Sequence, residues 1–172
     1  QLSESYETLR RQNEQLSLVM RATNDGVWDW DIRTGHVYFS PRWKDMLGYA
    51  EHDIENRIET WRDLIHPDDR ARVERDLKSY LAGQLPIYQV EHRLRHKNGS
   101  YRWILTRGIV LYDVDGAPYR MAGSHTDVTE GKRARDLLGL GEAATLAEIK
   151  RAYHRQSKLH HPDTAGHGAD SE

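Results

Sequence analysis

The stretch "GVWDWDIRTGHVYFSPRWKDMLGY", residues 26–49, changes its hydrophobic period within a few residues, and each change marks an element. Val27, Asp29 and Asp31 alternate with Trp28, Trp30 and Ile32, which is the period-two pattern of a strand with one apolar face. The turn residues "RTG" reverse the chain into "HVYFS", so the first two strands form a hairpin. Ser40 then offers a hydroxyl to cap a helix, and Pro41 follows at the first helical position, where a missing N–H costs nothing. A hairpin running directly into a capped helix, "PRWKDMLGY", predicts an α+β fold.

Further along, "IETWRDLI" reads as a second short helix, and a longer one is expected over residues 67–81. His66 precedes Pro67 there, Asp68 and Asp69 face the positive end of the helix dipole, and Val73, Leu77, Tyr80 and Leu81 share one face. Three more strands are predicted in "IYQVEHRLRHKNG", "SYRWILTRGIVLYDVDG" and "PYRMAGSHTDVTE", divided by the turn signals "KNG" and "DVDG". The expected architecture is one five-stranded antiparallel sheet with helices packed on one face.

Residues 1–22 are polar and helix-favouring, with Leu2, Leu9 and Leu16 spaced by seven and Val19 and Met20 following. That stripe suits a coiled-coil seam and hence a homodimer, although Ser5 and Gln12 between the leucines weaken it. The other reading docks the stripe of a single helix on its own domain. At the far end, residues 130–141 look helical and end in glycines, and Thr145 with Glu148 forms a capping box opening another helix. The expected organisation is an N-terminal signalling helix (1–22), a main domain (23–131), a helical segment (132–166) and a small polar tail (167–172).

A net charge of −2, with both signs interspersed, gives no chain-wide field to attract nucleic acid or an anionic membrane. No apolar run is long enough to span a bilayer, and the opening residues read as the interior of a longer, cytoplasmic protein. The chain has no cysteine, which removes disulfides, thiolate metal sites, a cysteine nucleophile and any thiol for a covalent flavin adduct.

Residues 24–132 closely resemble a PAS sensory domain. The resemblance rests on "GVWDWDIRTGHVYFSPRWKDMLGY", "WRDLIHPDDRARV", "EHRLRHKNGSYRWILTRG" and "DVDGAPYRMAGSHTDVTE", in that order and spacing. It implies a five-stranded antiparallel sheet whose inner face and helices enclose a small pocket, flanked by helices that transmit a signal. Trp30, Phe39, Trp43, Met46, Leu64, Leu77, Val90, Leu94, Trp103, Leu105 and Met121 are the candidate pocket residues, for a small-molecule ligand if the pocket is open. The same side chains can equally fill an ordinary core. "TDVTE" matches the junction between the last strand and the outgoing helix, which puts Asp127 and Thr129 at the signal exit. Some relatives hold a haem through histidine. His66, His92 and His125 are available for that role, but none has a distinctive context.

Residues 134–166 resemble the first two-thirds of a J domain, the module that recruits DnaK-type chaperone ATPases. "LLGLGEAATLAEIKRAYHRQSKLHHPD" carries the Leu-Gly pair, the helix with "EIKRAY" and the His-Pro-Asp loop. Ile149, Ala152, Tyr153, Gln156 and His160 share one helix face, while Lys150, Arg151, His154, Arg155 and Lys158 form a basic surface. The resemblance implies chaperone binding through Lys150, Arg151, Arg155, His161, Pro162 and Asp163. Gln156 stands where the family buries a leucine, and the sequence reaches Glu172 without the third helix that braces the loop. His154, His160, His161 and His167 lack the geometry of a zinc site.

No phosphate loop, partnered nucleophile or metal-ligand cluster is recognisable, so no catalysis is expected within these residues. The leading expectation is a sensory PAS module coupled to a J-like segment that recruits a chaperone ATPase. The alternatives are an interaction module with a non-functional J-like remnant, or a regulatory fragment of a kinase or cyclase whose catalytic domain lies elsewhere.

Overall fold

The computed structural model describes residues 2–141 and 143–160, leaving aside the side chains of 157–160. The chain divides into two compact units, residues 1–128 and 129–172.

In the first unit, helix α1 (Leu2–Thr23) precedes strands β1 (Gly26–Asp31) and β2 (Val37–Phe39). Helices α2 (Pro41–Met46), α3 (Ile58–Leu64) and α4 (Pro67–Leu81) follow, then β3 (Tyr88–Arg95), β4 (Tyr101–Tyr112) and β5 (Pro118–Asp127). The five strands form one antiparallel sheet in the order β2-β1-β5-β4-β3. The first strand is therefore central, flanked by its hairpin partner and by the last strand. Gly35, with φ +79°, makes the reversal between β1 and β2, and its N–H donates to the Asp31 carbonyl at 2.9 Å.

Side-chain caps fix where the helices start. Ser40 Oγ accepts from the backbone N–H of Trp43 at 3.2 Å and of Val27 at 2.9 Å, so one hydroxyl both caps α2 and ties it to β1. His66 Nδ1 caps α4 by accepting from Asp68 N at 3.1 Å. Asp69, in the first turn, accepts from Arg93 Nε at 3.0 Å, Nη2 at 2.9 Å and N at 2.9 Å, which clamps α4 to β3. The inward faces of α2, α3 and α4 and the inner sheet face share one core, with Trp43, Leu47, Ile65, Val73, Leu94, Ile104 and Met121 at its centre.

Helix α1 buries none of its residues, and Leu2, Leu9 and Leu16 are 92%, 56% and 61% exposed. The reading in which this helix docks its stripe on its own domain is therefore not realised.

The second unit contains α5 (Thr129–Leu137) and α6 (Leu146–His160). The capping box forms as expected: Thr145 N donates to Glu148 Oε2 at 2.7 Å, and Glu148 N donates to Thr145 Oγ1 at 3.3 Å. On the expected packing face Ala152 is buried, Ile149 is half-buried and Tyr153 is exposed. Gln156 donates to the Leu137 carbonyl at 3.3 Å rather than filling a leucine's place. Helix α5 starts at Thr129, so the expected boundary at 131/132 falls inside a helix. His161, Pro162, Asp163, His167 and the tail lie outside the described residues. Among the described residues, no helix is long and apolar enough to cross a membrane, and no cluster of three potential ligands could hold a metal ion.

Candidate functional site

The inner sheet face has one row built unlike the others. Strand register aligns Trp28 with Gly123, Gly123 with Gly108, and Gly108 with Tyr88, so two large aromatics stand at the ends of a row whose middle is bare backbone. A Cβ on Gly108 would lie 2.6 Å from Trp28 Cη2, and one on Gly123 would lie 1.8 Å from the Arg107 carbonyl oxygen. The two glycines therefore form a floor, and the Trp28 indole lies over it.

Above this floor is a cavity of about 30 Å³, walled by Trp28, Trp30, Val37, Phe39, Ile58, Trp61, Leu77, Tyr88, Thr106, Met121 and His125. Of the residues expected from sequence, Trp30, Phe39, Leu77 and Met121 are in the wall. Trp43, Met46, Leu64, Val90 and Leu94 are buried in the surrounding core without reaching it.

Trp103 and Leu105 require a correction. They are half-buried on the opposite sheet face, where Trp103 packs beneath the Arg93 guanidinium at 5.1 Å. The inner positions of β4 are Ile104, Thr106, Gly108 and Val110, because successive side chains of a strand alternate. Sequence reasoning missed Thr106 and Tyr88. Trp28 could have been found, since it alternates in phase with Trp30.

Two buried histidines lie beside the cavity. Trp43 Nε1–H donates to His125 Nδ1 at 2.7 Å, and Trp61 Nε1–H donates to His92 Nε2 at 3.2 Å. The neutral His125 ring therefore carries its hydrogen on Nε2. The His92 ring carries its own on Nδ1, which is 3.4 Å from Thr106 Oγ1. The two rings meet edge to face with centroids 5.9 Å apart. Burial pushes His92 down to about 4. Burial also holds His125 well below the usual histidine range, and the neighbouring His92 adds to the effect. Tyr88 is pushed up by burial and secondarily by Asp76.

Three buried polar groups carried by wall residues have no hydrogen-bond partner, Trp28 Nε1, Trp30 Nε1 and the Tyr88 hydroxyl, while the cavity surface itself is almost wholly apolar. The residues carrying them are at least nine-tenths buried, at 7%, 7% and 2% exposure. Such orphaned donors are uncommon in native cores.

These residues do not fit a haem. His66 is committed to capping α4 and packs at a tilt against Tyr101, with ring centroids 4.5 Å apart. His92 and His125 each already accept an indole hydrogen bond, and about 30 Å³ falls far short of the several hundred that a cofactor pocket of that size encloses.

At the expected signal exit, Asp127 ends β5 and accepts from Arg102 Nε at 2.8 Å. Val128 N donates to the Trp103 carbonyl at 2.9 Å, and Thr129, which is buried, begins α5. Of the expected chaperone-binding residues, Lys150, Arg151 and Arg155 are exposed on α6.

Comparison with known proteins adds three findings. The family described as PAS fold matches residues 36–125, more than half of the chain. A solved structure of a sensory box histidine kinase/response regulator from Burkholderia thailandensis is 38% identical, with a TM-score of 0.64, over 83% of this chain and 98% of that one. Among curated proteins, a blue-light-activated histidine kinase of Brucella anthropi is 28% identical over 78% of this chain. The diguanylate cyclase DgcE of Escherichia coli, described as probable, is 24% identical over 73%. The matched regions make up 27% and 11% of those two proteins.

Proposed function

The chain belongs to the PAS fold family, and from that premise we propose that it is a sensory input module controlling a histidine kinase or nucleotide cyclase domain carried elsewhere in the same protein. The observation that carries this reading is the company its relatives keep: both curated relatives named above are signalling enzymes in which the matched region is a minor part. This reverses the order of the sequence-based expectations, in which chaperone recruitment led. Neither the family match, which ends at residue 125, nor the names of the relatives supports the J-like reading of residues 132–166.

In this reading the input is occupancy of the cavity, and β5 is the route out. Met121 and His125 of that strand stand in the cavity wall, and the strand ends at Asp127, two residues before a helix begins. The Arg102–Asp127 bond holds the strand end, so its release would change how α5 is launched. The exposed leucine stripe of α1, spaced by seven residues, supports a homodimer paired through that helix. Blue-light activation is a property named for the Brucella relative alone and is not carried over to this chain.

The test is to assay kinase or cyclase activity of the full-length gene product with Asp127→Asn and, separately, with the cavity-filling Thr106→Ile. Both variants should alter the output while leaving the catalytic domain folded. An output unchanged in both would reject the sensory assignment.

A further inference from the structure

Trp28, Trp30, Phe39 and Trp61 present broad ring surfaces to the cavity, and most of the remaining wall is aliphatic. Thr106, Tyr88 and His125 also line it, yet little of what they expose there is polar. The unpartnered Trp28 and Trp30 indole N–H groups and the Tyr88 hydroxyl are themselves covered, so they do not supply what the cavity surface lacks. A buried water needs roughly two to four polar partners, which this surface does not offer. The wall contains no Asp, Glu, Lys or Arg, so an ion would lose its hydration without gaining a counter-charge. Left empty, the space deprives its lining atoms of contacts on one side, and a molecule that needs no hydrogen bonds restores them by dispersion. A volume of about 30 Å³ holds roughly two water-sized spheres, which limits a guest to about two heavy atoms.

We propose that the cavity takes a compact apolar molecule, with the chemistry shared by a dissolved diatomic gas and a light hydrocarbon, and holds it by dispersion against its aromatic wall rather than by hydrogen bonds. This inference rests on the reading of cavity occupancy as the sensor's input and names the class of that input. Met121 is the yielding part of the wall, because its side chain is unbranched and its methyl lies beside Gly108, where no Cβ stands in the way. It belongs to β5, so a guest that displaces it acts on the strand that ends at Asp127.

The experiment uses the full chain with carbon-13-labelled methyl groups, titrated separately with ethane, methanol and dioxygen under pressure. Ethane and methanol have the same number of heavy atoms and differ in polarity, so they test the class. Dioxygen, whose paramagnetism speeds the relaxation of nearby methyl groups, separates a gas from a hydrocarbon. Ethane should shift the Val37, Ile58, Leu77 and Met121 methyl signals along a saturating curve, while those of Val73, Leu94 and Ile104, buried outside the wall, stay in place. Dioxygen should speed relaxation at the same wall methyls, and whichever of the two half-saturates at the lower concentration identifies the source. Methanol at the same concentrations should leave the signals in place. Val37→Ile adds one carbon to the wall and keeps it apolar, and should raise the half-saturating concentration of ethane by roughly three- to tenfold. No saturable response to ethane or dioxygen, a response to methanol equal to that of ethane, or a half-saturating concentration unchanged in Val37→Ile would overturn the inference. Saturable ethane binding that leaves the kinase or cyclase activity of the full-length gene product unchanged would overturn the reading of the cavity as the input while the ligand class stands.

Discussion

Acidification should destabilise this fold well above the pH at which carboxylates titrate, because His92 and His125 are buried in neutral form. The folded value for His92 is about 4, against about 6.5 for the unfolded chain, so on acidification the unfolded state takes up a proton first. Stability from this site is complete above pH ~6.5, declines as pH falls, and levels off below about 4, where both states are protonated. Linkage over that interval gives a loss of about 2 kcal/mol at pH 5 and about 3 kcal/mol in total from His92 alone. His125, fully enclosed and held down in the same direction, adds to it. The assay is urea denaturation at pH 7.5 and pH 5.0 followed by tryptophan fluorescence. With a slope of roughly 1–3 kcal/mol per molar for a small domain, the midpoint should fall by about 1 M or more. His92→Gln retains an acceptor for Trp61 but cannot take up the proton. It should lower stability at pH 7.5 and flatten the difference between the two pH values. A wild-type midpoint unchanged between pH 7.5 and 5.0, or an undiminished pH difference in His92→Gln, would refute the reasoning.

Gly123→Ala places a Cβ 1.8 Å from a backbone carbonyl oxygen and should abolish folding or cost more than about 3 kcal/mol in thermal denaturation. Gly108→Ala instead meets the edge of the Trp28 ring at 2.6 Å, which can tilt, so a loss of about 1–3 kcal/mol with altered tryptophan emission is expected. Asp69→Asn removes the charge that Arg93 holds at about 2 and should cost about 1.5–3 kcal/mol at pH 7. Because the Asp69 value is depressed, its contribution is present above pH ~4 and lost as pH falls toward 2, so wild type and Asp69→Asn should converge there in a pH-resolved unfolding series. Leu9→Ser with Leu16→Ser should lower the molar mass seen by light scattering from dimer to monomer, leaving the circular dichroism of the sheet unchanged.

The hairpin and its capped helix were legible because each uses a local rule: alternation for β1, a turn glycine, and a serine before a proline. The aspartates after His66 were equally legible as a helix start, but not the reach of Asp69 to Arg93 across 24 residues, which depends on register. Strand β4 defeated the pattern for a physical reason. Its inner face spends Thr106 beside His92 and Gly108 beneath Trp28, while Leu105, Ile109 and Leu111 are on the outer face, so hydrophobicity points the wrong way. The glycine floor is likewise invisible in sequence, because it exists only once three strands are placed side by side. The family resemblance over residues 24–132 carried the architecture further than periodicity alone could, whereas the second resemblance has its deciding tripeptide outside the described residues.

The bare floor under Trp28 also bears on how easily this protein could change what it recognises. One side chain covers two adjacent glycines, and single-nucleotide changes of a tryptophan codon reach glycine, serine and leucine. Losing the indole would open a slot with a backbone floor and cost about 3–5 kcal/mol, enough to leave a marginal domain partly unfolded. A flat molecule filling that slot would restore the loss by mass action. A mutant of this kind would fold only in the presence of its new guest, so recognition and folding would be acquired in the same mutational step.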